Sequence, residues 1–146
     1  MIDIPAIVKA IHSQHRDLVA LQEIDVNTIR SGKEINEPAA IAEALGMYFY
    51  FGKAIDYGNG GYGVAILSRF PLSETRTQWL SQKADPKTER RAIATARVTL
   101  PGGQQICFAS THLDVENVAT VYYRCNSLPK PSGESDPFYT GWRPER

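Results

Sequence analysis

The sequence predicts an α/β sandwich, in which one sheet packs on another and helices lie outside. Three observations carry this: the order helix, strand, helix and then strands only; the continuous apolar strand Gly63-Val64-Ala65-Ile66-Leu67-Ser68; and the alternation of Ala92, Ala94, Ala96, Val98 and Leu100 with Ile93, Thr95, Arg97 and Thr99. At 146 residues, 42% hydrophobic and 22% charged, the chain has the size and composition of one soluble globular domain with one core.

Taken in order, Asp3 can cap a helix with Pro5 in its first turn, and Ile4, Ile7, Val8 and Ile11 then share one face. His12 and His15 fall off that stripe and read as surface residues. Leu18-Val19-Ala20-Leu21-Gln22-Glu23 is a short apolar strand ending on a carboxylate. Residues 25–37 are polar, contain Ser31-Gly32, and read as an exposed loop leaving that strand's tip. Asn36 caps a second helix, Pro38 enters it, Ile41 and Leu45 give it an apolar side, and Gly46 stops it.

From Met47 the pattern changes to strands: Tyr48 to Phe51, a glycine-rich loop from Tyr57 to Gly61, Gly63 to Ser68, and an edge strand from Thr75 to Leu80. Pro101-Gly102-Gly103 turns the strand beginning at Ala92 into a hairpin whose second arm is Ile106-Cys107-Phe108-Ala109-Ser110-Thr111-His112-Leu113-Asp114. Cys107, inside that arm, reads as a reduced, packed thiol. A short helix is expected from Val115 to Asn126, and from Leu128 prolines and glycines prevent any long element.

Two of these elements stop on residues that bind metals or move protons: Glu23 on the first strand, His112 on the hairpin's second arm. A buried strand has no use for a terminal carboxylate or imidazole. Their tips point to a rim where metal-assisted hydrolysis could sit. The bland readings are a solvated strand-end glutamate and a histidine satisfied by backbone. Sixteen basic against sixteen acidic residues leave a net charge of zero, which disfavours a large duplex-binding surface. No run approaches the roughly 18 apolar residues of a membrane span, and the first residues lack the layout of a secretory signal, so a soluble chain is expected.

Leu21-Gln22-Glu23, then Gly61-Tyr62-Gly63-Val64-Ala65-Ile66-Leu67-Ser68-Arg69-Phe70-Pro71, then Glu89-Arg90-Arg91-Ala92, then Ser110-Thr111-His112-Leu113-Asp114 resemble the first half of the endonuclease/exonuclease/phosphatase family of metal-dependent phosphoesterases. The resemblance spans about residues 3 to 117 and implies the DNase I-like α/β/β/α sandwich, incomplete in this chain. It divides the chain into a partial domain, 1–117, and a divergent, irregular tail, 118–146.

The resemblance also implies roles. Glu23 matches the metal-binding glutamate, a hard oxygen ligand suited to Mg²⁺, with Mn²⁺ as a substitute. His112 matches the histidine beside the scissile phosphate, where a donor stabilises charge on the non-bridging oxygens. Arg91 is placed to clamp phosphate, although Arg90 competes for that role and a solvated pair with Glu89 would serve as well. Asn59 and Tyr62 belong to a loop that could reach substrate. Asp114 orients a neighbour or caps the following helix.

The chain also departs from the family. The family's opening strand with its metal-site asparagine, its later Gly-Asp-x-Asn and its closing Ser-Asp-His are missing, and Ser135-Asp136-Pro137 comes too soon after His112 to be the last of these. The expectation is a truncated chain with a cut N-terminus and weak or no activity, from a Mg²⁺-dependent phosphodiesterase parent. A small phosphodiester or lipid head group is favoured as its substrate. The alternatives are a nuclease acting on nucleic acid and a non-catalytic binding module on the same fold.

Overall fold

The computed structural model describes residues 2–82 and 86–113. Asp114, the helix expected from Val115 to Asn126, the domain boundary at 117 and the tail lie outside the described residues. Eight elements follow in chain order: α1 (Ile4–Ser13), β1 (Leu18–Val26), α2 (Glu37–Leu45), β2 (Tyr48–Tyr57), β3 (Gly60–Ser68), β4 (Leu72–Trp79), β5 (Ala92–Thr99) and β6 (Gln105–Thr111).

Both helices begin where local chemistry dictates. The Asp3 carboxylate accepts from the Ala6 N–H at 3.0 Å, and the Asn36 side chain accepts from Ala39 N–H at 3.2 Å, satisfying donors the first turn leaves open. Gly46 ends α2 at φ +63°, a left-handed conformation that glycine adopts without steric cost.

The strands form two antiparallel sheets, ordered β1-β3-β2 and β4-β5-β6. Alternation along β3 sends Val64 and Ile66 toward the second sheet, where they pack on Ala94 and Ala96 with Tyr50, Leu72 and Phe108 around them. Leu67 turns the other way, onto Ile41 and Ala42 of α2 and the Ile4, Ile7, Val8 and Ile11 stripe of α1. The described residues therefore stack as α/β/β. Ile66 and Leu67 are wholly buried, a contribution of roughly 1.5–3 kcal/mol each. The sheets approach so closely at Gly52 that a Cβ there would stand 2.7 Å from the Ala94 Cβ.

Several expectations are corrected. β1 does not stop at Glu23 but runs on to Val26, and β2 continues to Tyr57, leaving only Gly58 and Asn59 as the turn into β3. Both turn residues have positive φ, +52° and +67°, the twist a two-residue hairpin requires. β4 starts at Leu72 and ends before Leu80. Residues 25–37 are not an exposed loop throughout: Asp25, still within β1, Thr28 and Ser31 of the connection, and Glu37, the first residue of α2, are buried. Cys107 is exposed, because it takes the outward positions of β6 with Gln105 and Ala109 while Ile106, Phe108 and Ser110 turn inward. Among the described residues no helix is long and apolar enough to cross a membrane.

Candidate active site

The mouth of the sandwich is built around a fault in β1. Leu21 pairs with Ala65 but Ile24 pairs with Gly63, so β1 uses one residue more than β3. Glu23 absorbs the bulge at φ +56°, a backbone cost of roughly 1–3 kcal/mol for a residue with a side chain. Glu23 thereby leaves the ladder, and its side chain is 66% exposed. Beside it, Gln22 Nε2 donates to the Thr111 carbonyl at 2.8 Å and Ser110 Oγ donates to the Leu21 carbonyl at 3.1 Å. These bonds staple the first sheet to β6. His112, the next residue, is thus delivered to the bulge.

Arg91 arrives from the neighbouring strand. It immediately precedes β5, whose Ile93 is paired with Thr111, and the Thr111 hydroxyl donates to the Ala92 carbonyl at 3.0 Å. Arg91 Nη1 lies 3.3 Å from His112 Nδ1, and His112 Nε2 lies 3.9 Å from Glu23 Oε1. Arginine can only donate, so Nδ1 accepts and the ring proton is assigned to Nε2, on the side of Glu23. At 3.9 Å that contact is too long for a hydrogen bond.

Arg91 Nη1 also meets Glu89 Oε1 at 2.9 Å, while its Nε is buried with no hydrogen-bond partner. A buried donor left unmet is costly, on the order of 1–3 kcal/mol, and is a place for an acceptor to enter. The pocket there is lined by Tyr62, Arg91 and His112 over a floor of Gly63, Val64 and Ala92. Burial pushes the Tyr62 phenol up; the hydrogen bond from Arg91 opposes this, and the Glu23 charge adds to it.

Glu23, Arg91, His112 and Tyr62 are therefore brought to one mouth. Asn59 is not; it occupies the β2–β3 turn and does not line the pocket. Arg90 and Arg91 part company: Arg90 Nε donates to the Ala54 carbonyl at 2.8 Å and its guanidinium lies 4.1 Å from the Trp79 ring centre. Sequence reasoning missed the buried Asp25 cluster. Its signal was a carboxylate followed by Thr28, Arg30 and Ser31, at spacings a turn can fold back on itself.

The donor set fits a divalent cation only in part. Among the described residues no group of three or more His, Cys, Asp or Glu could hold an ion. Glu23 can give one carboxylate contact to an ion that otherwise keeps water and phosphate oxygens.

The fold and its mouth define a class, an α/β/β sandwich with its polar residues gathered at one end of the sheets. The chain belongs to the Endonuclease/Exonuclease/phosphatase family, whose model matches residues 3–120. That family generally hydrolyses phosphoester bonds and generally depends on divalent metal. An endonuclease/exonuclease/phosphatase from Beutenbergia cavernae DSM 12333 is similar in structure, with TM-score 0.67 and 22% identity over 87% of this chain and 37% of that one. A family protein from Leptotrichia buccalis C-1013-b gives TM-score 0.58 and 21% identity over 80% and 50%. The chain thus spans half or less of these proteins' lengths, and at such identities the likeness concerns the fold. No curated protein matches.

Proposed function

We propose that this mouth is part of a metal-dependent phosphoester-hydrolysing site. What supports the reading most is the row Glu23, His112, Arg91, with gaps of 3.9 and 3.3 Å, beside a buried arginine Nε that lacks an acceptor. Each member has work that suits its chemistry. Arg91 binds a phosphate oxygen, which satisfies Nε. His112, kept as the Nε2–H form by Arg91, donates to a non-bridging oxygen on which charge develops. Glu23 takes one position on Mg²⁺ or Mn²⁺, and such an ion when bound supplies Lewis acidity and charge neutralisation. The Tyr62 hydroxyl closes the same pocket.

Among the described residues Glu23 is the carboxylate offered to the ion, and one carboxylate holds Mg²⁺ weakly, so slow turnover is expected. The balanced net charge favours a small phosphodiester or a lipid head group over duplex nucleic acid. The test is hydrolysis of bis(4-nitrophenyl) phosphate with Mg²⁺ or Mn²⁺, with and without chelator, in the wild type and in Glu23→Gln. Slow, chelator-sensitive hydrolysis that drops to background in Glu23→Gln is expected. Equal, equally metal-dependent rates in both proteins defeat the reading. The absence of a three-ligand group among the described residues also favours a second reading, a binding module; phosphate binding with no turnover under any metal would select it.

A further inference from the structure

The buried cluster behind the mouth has a role beyond stabilising its own loop. Asp25 is 1% exposed, yet every direction around its carboxylate is filled. Oδ2 accepts from Thr28 Oγ1 at 2.8 Å, Ser31 Oγ at 2.6 Å and Arg30 Nε at 2.7 Å, and Oδ1 accepts from Arg30 Nη2 at 3.0 Å. The two-point grip fixes the plane of the Arg30 guanidinium, which a lysine could not reproduce. That plane lies against two rings: Cζ stands 4.8 Å from the centre of Tyr57 and 5.4 Å from that of Tyr62, and the rings are 6.1 Å apart.

Asp25 is also the cross-strand partner of Tyr62 in the β1–β3 ladder, and Ile29 N–H donates to the Gly58 carbonyl at 2.9 Å. The loop and the hairpin are thus bound together on both sides of the arginine. Arg30 is half exposed, but its charge is already spent on Asp25. It is therefore poorly suited to hold a phosphate and well suited to hold a ring. Tyr62, in turn, lines the pocket together with Arg91 and His112.

We infer that Arg30, locked by Asp25, is a positioning residue: its flat face holds the Tyr57–Tyr62 pair so that Tyr62 keeps its place in the pocket wall it shares with Arg91 and His112. The meaning of this for binding rests on the proposed phosphoester site; the placement of Tyr62 does not.

The experiment has two arms in the full 146-residue chain. In the first, tyrosine rings are labelled with ¹³C, Tyr62 is assigned through Tyr62→Phe, and spectra of the wild type, Arg30→Met and Arg30→Lys are compared at one fixed pH. Tyr62 signals should move toward those of exposed Tyr48 in both variants, while the methyl signals of Ile66 and Leu67 stay. Arg30→Lys keeps a cation for Asp25 without the plane, so it serves if Arg30→Met fails to fold. Unmoved Tyr62 signals in Arg30→Lys overturn the inference.

In the second arm, affinity for inorganic phosphate is measured through a double-mutant cycle. Arg30→Lys should weaken binding about threefold to tenfold in the wild-type background and leave it unchanged in Tyr62→Phe. Equal losses in both backgrounds overturn the action through Tyr62. A wild type that binds no phosphate counts against the site reading, and the ring signals then decide the role of Arg30 alone.

Discussion

Two arginine–carboxylate pairs lie close together in this molecule and have opposite characters. In Asp25–Arg30 the acid is buried and the arginine reaches half into water; in Glu89–Arg91 the acid is 44% exposed and the arginine side chain only 16%. The first carboxylate accepts from four side-chain donor atoms. The second pair leaves a guanidinium nitrogen buried and unmet. A saturated polar cluster holds a fold in place, whereas a deficit of acceptors at an open mouth waits for one. On this contrast, disturbing the first pair costs stability and disturbing the residues around the second costs chemistry.

The sharpest contrast is expected at His112. In His112→Ala, hydrolysis of bis(4-nitrophenyl) phosphate should fall about 10²–10³-fold, as when one donor to a developing oxyanion is removed. The urea midpoint should report a stability change of no more than about 1 kcal/mol, since one partly exposed contact is lost. A large loss of stability with an unchanged rate would place His112 with the structural group.

Asp25→Ala comes next. It strands Thr28, Ser31 and Arg30, and unfolding in urea should show a loss of about 2–4 kcal/mol, short of a fully buried pair because Arg30 is half solvated. Burial pushes the Asp25 carboxyl up, but hydrogen bonds from Arg30, Ser31 and Thr28 together outweigh it and leave the group below its ordinary 3.8. A carboxyl lowered on folding contributes stability that is fully present above the unfolded value and is lost as pH falls through the folded one. Asp25→Asn should therefore flatten the acid limb of urea midpoint against pH below about 4. A limb as steep as in the wild type would mean that other carboxylates set it. Ser31→Ala removes one buried donor of the four and should cost only about 1 kcal/mol by the same measurement.

The contrast also explains what could be read in the chain and what could not. Helix ends were legible because a cap is local: Asp3 with Pro5, and Asn36 with Pro38 and Gly46, act within one turn. Strand faces were legible from alternation, as in the buried Ala92, Ala94, Ala96 and Val98. Glu23 and His112 could be singled out as polar residues closing apolar runs. The bulge that turns Glu23 outward could not, because it is a mismatch between two strands and exists only once β1 meets β3. Asp25 was hidden for a related reason. A polar stretch reads as solvated unless its members satisfy one another, and that depends on a backbone turn which composition does not encode. Arg91 and Arg90 were indistinguishable in sequence, since neighbouring strand-end residues face opposite ways and only the sheet decides which faces the pocket.

The smallest expected effect tests the contrast most finely. Glu89→Gln keeps an oxygen that can accept from Arg91 but removes the negative charge beside it. An ion pair with a 44% exposed acid is worth about 1 kcal/mol at most, so the urea midpoint should barely move. Phosphate binding should change in the other direction. With Glu89 neutral, the guanidinium is no longer shared with a competing anion, and Coulomb energies at a half-exposed site correspond to a gain of about twofold to fivefold in affinity. Because the effect is electrostatic at a solvated position, it should shrink as ionic strength rises. This sign is opposite to that at Asp25, where losing the acid can only harm. If calorimetry showed weaker phosphate binding in Glu89→Gln, Glu89 would be aiming Arg91 as Asp25 aims Arg30, and the two pairs would be devices of one kind.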